Sequence, residues 1–246
     1  MDSRDTLERL VPDHVQADDR AGADSLGFHL QRYEFAAEHA RPGRLLDLAC
    51  GVGYGTRLLA DRRPDIGSLT GVDLSPFAIE YAGSHYGCER VRFVQADAMS
   101  FGQLDVARKG YDTIVSLETI EHLPEPDAFF AQLASMLVPE AVLVASVPTT
   151  PSVDLNPHHL HDFRAAGFRA MGTRHGLVEV ASQVQVQRVG LRELFAADRR
   201  FRRENLRPNL LRYYCAHPGA LVKRILSTLH HGLANHYLTM VWKRAG

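Results

Sequence analysis

Two acidic and histidine-rich stretches of this chain could do chemistry. The stretch VSLETIEHLPEP, residues 115–126, follows an apolar run with Glu118, Glu121 and His122, and no basic residue lies beside them. A second stretch, NPHHLHDF at residues 156–163, holds three histidines and an aspartate. Carboxylates and imidazoles can bind a divalent cation, and an imidazole can remove the proton of an acceptor hydroxyl. Both stretches are therefore candidates for a reactive site.

A glycine-rich stretch could bind a cofactor. LLDLACGVGYGT, residues 45–56, runs from an apolar segment through Gly51, Gly53 and Gly55 into a predicted helix. Glycines let the backbone turn tightly and approach a ligand, and the start of a helix offers free N–H groups. Asp73 follows Gly53 by about twenty residues, where a carboxylate can accept hydrogen bonds from both hydroxyls of a ribose. This spacing predicts a cofactor that contains a nucleoside.

The residues of the glycine stretch distinguish a dinucleotide from a sulfonium cofactor. A dinucleotide fingerprint requires G-x-G-x-x-G, but Thr56 stands where the third glycine is expected. Asp47 would repel a pyrophosphate, whereas it suits the cationic aminoacyl end of S-adenosylmethionine. Asp97, in the segment VQADAM, stands where the edge of an adenine could lie. These residues favour a sulfonium cofactor over a dinucleotide.

The elements that must position these residues alternate along the chain. Short runs rich in Leu, Val and Ile are separated by helical patterns, which is typical of βα units around a parallel sheet. The pattern predicts an α/β fold, in which the carboxyl ends of neighbouring strands lie at one edge. Strands are predicted at residues 44–49, 68–73, 90–95, 111–117, 141–147, 177–187 and 235–244, and a first helix at 26–40.

Four motifs resemble those of the class I S-adenosylmethionine-dependent methyltransferases: LLDLACGVGYGT, GVDLSPFAIEYA, FVQADA and DTIVSLETIEHLPEPDAFF. The resemblance runs from about residue 26 to residue 187. It implies a Rossmann-like, mostly parallel sheet of seven strands, with helices on both faces, an antiparallel final hairpin and a helical insertion before the last strand. The cofactor-binding residues that it implies are Asp47, Ala49, Gly51 and Gly53 at the methionine moiety, Asp73 at the ribose, Asp97 and Ala98 at the adenine, and the neighbouring Leu74 and Leu117.

The E-x-x-E-H pattern and the later histidines resemble those of three subgroups of this family. These are ubiquinone-biosynthesis O-methyltransferases, small-RNA 3′-end 2′-O-methyltransferases whose constellation holds Mg²⁺, and bacterial methyltransferases of polysaccharide, glycolipid or natural-product glycosylation. The order of the motifs is most similar to the bacterial group, and it makes His159 the matching histidine of the second stretch. Two roles stay open. Glu118, Glu121, His122 and His159 could hold Mg²⁺, Mn²⁺ or Zn²⁺; without a metal, His159 is the leading candidate for a general base, with His122 beside it.

The predicted function is methyl transfer from S-adenosylmethionine to a hydroxyl of a small polar acceptor, a sugar or a glycosylated metabolite. The alternatives are 2′-O-methylation of RNA 3′ ends, N- or C-methylation of a natural product, and binding of S-adenosylmethionine without catalysis. Lys and Arg (28) nearly balance Asp and Glu (29), which argues against a nucleic-acid partner. The arginine-rich residues 198–212 favour a solvated helix face, or alternatively a phosphate-bearing acceptor.

Length and composition limit the organisation of the chain. Its 246 residues, of which 45% are hydrophobic, predict one domain over 1–246, with a helical segment at about 1–42 and a helical insertion at about 188–234. A charged start predicts no signal peptide, no apolar run suits a bilayer, and three dispersed cysteines fit a reducing, cytoplasmic compartment. An apolar stripe at 219–233 predicts a helix that packs on the core, with a homodimer contact, a cover over the acceptor and a membrane surface as alternatives.

Overall fold

The computed structural model describes residues 11–12, 20–104, 107, 109–188, 207 and 209–244 of the chain. These residues form a sheet whose strands are β1 (Gly43–Leu48), β2 (Ile66–Asp73), β3 (Val91–Gln95), β4 (Tyr111–Leu117), β5 (Leu137–Pro148), β6 (Leu177–Arg188) and β7 (Ala234–Arg244). The strand order is β3-β2-β1-β4-β5-β7-β6. Neighbouring strands are parallel except β7, which is antiparallel to both β5 and β6.

The predicted fold class is confirmed, including the antiparallel final hairpin. The apolar runs become strands because both faces of the sheet are covered, so that alternate side chains on either face are buried. In β4 every residue except Asp112 is buried. β5 begins four residues before the predicted strand, because Leu137 already pairs with Tyr111 of β4.

Seven α-helices lie among the described residues. They are α1 (Arg20–His39), α2 (Tyr54–Arg62), α3 (Pro76–Tyr86), α4 (Pro126–Met136), α5 (Ala165–Arg174), α6 (Leu210–Ala216) and α7 (Pro218–His231). The start of α3 shows the local signals clearly: Ser75 is the N-cap, its side chain accepts a hydrogen bond from the Ala78 N–H, and Pro76 occupies the first turn. None of the described helices is long and apolar enough to cross a bilayer.

The two faces of the sheet bury separate cores. On one face, α1 and α2 pack residues such as Ala36 and Leu59 against the central strands. On the other, α4 and α5 bury Phe130 and Phe168, which make edge-to-face contacts with Trp242 of β7. These cores hold the central strands in register, so that the loops at their carboxyl ends occupy fixed positions.

The two predicted helical segments outside the sheet, at about 1–42 and 188–234, are described only in part. The arginine-rich residues 198–212 lie mostly outside the described residues, and so does most of the segment at 1–42 that precedes α1. The helix expected at 219–233 forms α7, but its predicted packing on the core is wrong: Leu226 is 61% and Leu229 78% exposed. The helix instead turns Lys223 and Arg224 toward the domain, where they form ion pairs with the loop after β5.

Candidate active site

A cavity of about 470 Å³ lies at the carboxyl edge of the sheet. The glycine turn, the ends of β2, β3 and β4, and the loop after β5 form its walls, and α1 covers it from above. Most of the residues predicted to bind a cofactor or a metal line this cavity: Ala49, Gly51, Asp73, Leu74, Asp97, Ala98, Leu117, Glu118, Glu121, His122 and His159. Two predicted residues, Asp47 and Gly53, do not line it.

The three glycines of the turn serve two different purposes. Gly51 has φ +57° and open space where a Cβ would stand, so its backbone can approach a ligand. Gly53 has φ +86°, and a Cβ there would overlap Phe93. At Gly55 a Cβ would overlap the ring of Tyr33 in α1. Only Gly51 therefore faces the cavity, whereas Gly53 and Gly55 permit close packing beneath it.

Ala49 adopts a strained backbone conformation in the glycine turn. Its φ is +69°, a left-handed conformation that costs an alanine about 1–2 kcal/mol. The backbone adopts it because the N–H groups of Ala49 and Cys50 both donate to the carbonyl of Val72, at 2.8 and 2.9 Å. These bonds hold the turn against the end of β2, beside Asp73.

Asp47 supports the turn from below instead of facing the cavity. Its carboxylate is fully buried and accepts hydrogen bonds from the hydroxyls of Thr56, at 2.6 Å, and Tyr33, at 3.3 Å. Burial raises the pKa of Asp47 to about 7, against the opposing effect of these two donors. Asp47 therefore ties α1 and α2 to the end of β1.

Asp73 and Asp97 lie at the ends of neighbouring strands, as the sequence predicts. One carboxylate oxygen of Asp73 accepts a hydrogen bond from the N–H of Gly51 at 3.0 Å, and the other accepts from the N–H of Ser75 at 2.9 Å. A carboxylate at the end of a strand beside a glycine turn suits the hydroxyls of a ribose. Asp97 accepts from the N–H of Met99 and is exposed to the cavity.

Opposite the glycine turn, three side chains come together. Glu121, His122 and His159 each offer a ligand atom within 4.8 Å of the others. The rings of the two histidines lie with their centroids 4.6 Å apart at an interplanar angle of 84°. Glu121 is only 1% exposed, and both histidines are half-buried. One carboxylate and two imidazoles in this arrangement can bind a divalent cation or assist a proton transfer.

The hydrogen bonds of the two histidines determine which ring nitrogen they can offer. Nδ1 of His122 lies 3.2 Å from the carbonyl oxygen of His158, which can only accept, so this nitrogen carries the proton. Nδ1 of His159 lies 2.6 Å from Oγ of Ser152. Burial and the neighbouring His122 lower the pKa of His159 to about 3, so its imidazole is neutral at physiological pH. A neutral imidazole has one nitrogen with a free lone pair, and the partner of Nδ1 decides which nitrogen that is.

Glu118 lines the cavity but is not part of this cluster. Its φ of +48° separates the end of β4 from the short 3₁₀ turn Ile120–His122, so no helical turn starts at Glu118. Oγ of Ser146 holds it in place, accepting from the Glu118 N–H at 3.0 Å and donating to its Oε1 at 2.6 Å. Glu118 therefore does not join Glu121, His122 and His159, although the sequence predicts all four as metal ligands.

Backbone hydrogen bonds fix the two histidine-bearing loops to each other. The N–H groups of Leu160 and His161 both donate to the carbonyl of Glu121, at 2.8 and 3.3 Å. Nε2 of His161 donates to the carbonyl of Leu123 at 3.0 Å. This use of His161 in the loop contact leaves His159 as the histidine of its stretch that faces the cavity beside His122.

Arg32 of α1 lines the cavity, although the sequence does not single it out as a site residue. Its side chain is 1% exposed, and Nε and Nη1 have no hydrogen-bond partner among the described residues. The guanidinium lies 4.4 Å above the ring of Tyr237, whose pKa is raised to about 12, chiefly by burial. A buried cation of this kind fits an anionic ligand group, such as the carboxylate of a bound amino acid. The only signal in the sequence is an arginine next to Tyr33 on the face of α1 that packs inward.

The fit of these residues to S-adenosylmethionine follows from the chemistry of the cavity. Gly51 leaves room for a ligand, Asp73 can accept from a ribose, and Arg32 supplies a buried cation for a carboxylate. The residues on both sides of the cavity thus match the two polar ends of this molecule.

Comparison with known proteins points to the same cofactor. A family model described as a methyltransferase domain matches residues 28–192. A probable S-adenosylmethionine-dependent methyltransferase of Mycobacterium tuberculosis is 27% identical over 186 residues, which are 72% of this chain and 62% of that protein. The trans-aconitate 2-methyltransferase of Streptomyces avermitilis is 36% identical over 111 residues, 44% of this chain and 39% of that protein.

A solved structure agrees in fold. The YcgJ protein from Bacillus subtilis superposes with a TM-score of 0.64 at 15% identity, over 91% of this chain and 99% of that chain. The chain spans less than two thirds of the length of the Mycobacterium and Streptomyces relatives, 62% and 39%.

Proposed function

The chain belongs to the family of S-adenosylmethionine-dependent methyltransferases, and on this premise we propose that it methylates a hydroxyl oxygen of a small polar acceptor, such as a sugar or a glycosylated metabolite. The observation that carries the proposal is that one cavity joins the glycine turn to the cluster of Glu121, His122 and His159. Methyl transfer is an in-line substitution that requires donor and acceptor to meet in one enclosed space. A hydroxyl acceptor additionally requires help in losing its proton.

On the donor side, three residues would bind the cofactor. Asp73 would accept hydrogen bonds from the ribose, the backbone of Gly51 would lie against the methionine moiety, and Arg32 would pair with the carboxylate. When bound, S-adenosylmethionine supplies an electrophilic methyl group on a sulfonium. α1 covers the cavity, so its side chains would exclude water from the reacting groups.

On the acceptor side, Glu121, His122 and His159 would hold a divalent cation. Two imidazoles and one carboxylate favour Mn²⁺ or Zn²⁺ over Mg²⁺, which prefers an all-oxygen set. A metal ion there would supply Lewis acidity that lowers the pKa of an acceptor hydroxyl. Without a metal, the imidazole of His122 or His159 would accept the proton.

The test of this function uses the purified full-length chain with a methyl-labelled donor. Acceptor pools of sugars, nucleotide-linked sugars, small RNA and amine-containing natural products are compared, and formation of S-adenosylhomocysteine is measured for each. Transfer to a small hydroxyl compound supports the proposal. Transfer confined to RNA or to amines replaces it with those alternatives, and binding of the donor without turnover on any pool would indicate a non-catalytic protein.

A second candidate is methylation of a carboxylate oxygen. It is supported by the buried guanidinium of Arg32, which could bind a carboxylate of the acceptor instead of the donor. The name of the Streptomyces relative assigns to that protein an acceptor of this kind, trans-aconitate. A carboxylate is already ionised at neutral pH and needs no base. Turnover of a small polycarboxylic acid that persists in excess chelator would favour this candidate.

A further inference from the structure

The loop after β5 contains a residue that orients His159. Oγ of Ser152 and Nδ1 of His159 lie 2.6 Å apart, a short hydrogen bond between half-buried side chains. If Nδ1 carries the proton, Nε2 has the lone pair and can bind a cation. If Ser152 donates instead, Nε2 carries the proton and cannot bind a cation. The environment of Ser152 therefore decides the chemistry that His159 can do.

Asp162 fixes the position of Ser152. One of its carboxylate oxygens accepts from the N–H groups of Ser152, at 2.7 Å, and Val153, at 3.1 Å. The other oxygen accepts from Nζ of Lys223 in α7. The carboxylate thus bridges the two ends of the loop that contains His159, and α7 holds the bridge from outside.

A second ion pair holds the same loop to α7. Nε of Arg224 donates to Asp154 at 2.8 Å, and Nη2 donates both to the second oxygen of that carboxylate and to the carbonyl of Pro151. The hydroxyl of Tyr214 also donates to Asp154, at 2.6 Å. The side chain of Asp154 is 6% exposed and that of Arg224 21%. A bidentate, shielded pair of this kind constrains geometry far more than an exposed pair does.

We propose that Ser152 is a positioning residue that holds His159 with its proton on Nδ1 and its Nε2 toward Glu121 and His122, and that the Arg224–Asp154 pair fixes Ser152 in place. The proposal rests on the proposed role of His159 at the acceptor side of the cavity. Helix α7 then serves the site without touching donor or acceptor, because it sets the position of the loop. Removing the hydrogen bond to the second nitrogen of a ligating histidine commonly lowers metal affinity or activity by about 10–100-fold.

A spectroscopic test separates this role from the proposed function. The ring nitrogens of His159 are recorded by long-range ¹H–¹⁵N NMR on the ¹⁵N-labelled full-length chain, with the signals assigned by their loss in His159→Gln. In the wild type we expect the Nδ1-protonated form. Ser152→Ala should shift the signals toward the mixture of tautomers of an unconstrained imidazole, whereas Ser152→Thr, which keeps the hydroxyl, should retain the wild-type signals. Unchanged signals in Ser152→Ala would overturn the proposal, whether or not any acceptor is turned over.

A kinetic test addresses the ion pair. Arg224→Ala and Asp154→Asn should lower kcat by about 10–100-fold while the Kd of S-adenosylhomocysteine, which reports a folded donor site, stays the same. Arg224→Lys should restore part of kcat, because it keeps one charged donor. The matched control is Arg57→Ala, which breaks the exposed Arg57–Asp61 pair on α2. Equal kcat in Arg224→Ala and Arg57→Ala, or wild-type His159 signals in Arg224→Ala, would contradict the role of the pair.

Discussion

The rings of His122 and His159 lie 4.6 Å apart at nearly a right angle, although the two residues belong to loops after different strands. Hydrogen bonds to the carbonyl of His158 and to Ser152 engage Nδ1 of both rings. One nitrogen of each ring and a carboxylate oxygen of Glu121 lie within 4.8 Å of one another. The chemical consequences of this convergence can be tested residue by residue.

Glu121→Gln should weaken the binding of a divalent cation to the cluster. The substitution keeps the shape of a side chain that is 1% exposed but removes the only carboxylate of the cluster. We expect Mn²⁺ to bind at least about 10–100-fold more weakly, as for other changes around a metal ligand, and turnover to fall with it. Calorimetric titration with Mn²⁺ and activity after chelation and add-back measure both effects.

Glu80→Gln is the control for that variant, because Glu80 is exposed on α3 outside the cavity. It should titrate with Mn²⁺ as the wild type does. Full turnover of the wild type in excess chelator would contradict a catalytic role for a metal ion. His159 or His122 would then be the candidate general base.

Arg32→Ala should weaken the binding of S-adenosylhomocysteine without affecting 5′-methylthioadenosine, which lacks the amino-acid carboxylate. A hydrogen bond to a charged group contributes about 1.5–3 kcal/mol, so the Kd for S-adenosylhomocysteine should rise by about 10–150-fold. The exposed Arg57 provides the control variant Arg57→Ala. An equal rise in Kd for both ligands would mean that Arg32 stabilises the fold. An unchanged Kd for both would mean that Arg32 binds the acceptor instead of the donor.

Asp47→Asn should flatten the pH dependence of stability. Burial raises the pKa of Asp47 from 3.8 to about 7, so between these values the folded state holds a proton that the unfolded state has released. The raised pKa therefore adds to the free energy of unfolding, and this contribution is complete below about pH 4. It decreases by about 4 kcal/mol as the pH rises to 7. Urea denaturation of both chains from pH 4.5 to 8 should show the wild type losing stability relative to the variant. A pH-independent loss of stability in the variant shifts its whole curve and does not change the slope. Parallel curves of unfolding free energy against pH would therefore contradict the raised pKa of Asp47.

Gly55→Ala should destabilise the protein because the new methyl group would overlap the ring of Tyr33. Overpacking of this kind costs about 1–3 kcal/mol, and displacement of Tyr33 would also remove its hydrogen bond to Asp47. Gly83→Ala is a matched control, since Gly83 lies within α3 with nothing within 4 Å of its missing Cβ. That variant should gain about 0.5–1 kcal/mol. A similar gain in Gly55→Ala would mean that α1 can move away from α2.

Much of the site could be predicted from local sequence. The apolar runs and the glycine turn depend on residues close together in the chain, so the sequence predicts the three strands whose carboxyl ends place Asp73, Asp97 and Glu121 at the cavity. The carboxyl ends of parallel strands must share an edge, which is why these residues meet. The same logic fails at Asp47, because a strand position alone does not distinguish a carboxylate that faces a ligand from one that accepts hydrogen bonds beneath the turn.

The sequence by itself determined the α/β fold, the glycine turn and the two stretches that contain the cluster, because periodicity and short motifs encode local backbone structure and burial. Only the tertiary structure decided which side chains meet. Glu118 leaves the cluster because Ser146, on the neighbouring strand, fixes its backbone at positive φ. Arg32 enters the cavity because α1 folds over a sheet edge formed by residues that follow it in the chain. Contacts between distant segments depend on packing angles and hydrogen bonds that no short window of sequence contains.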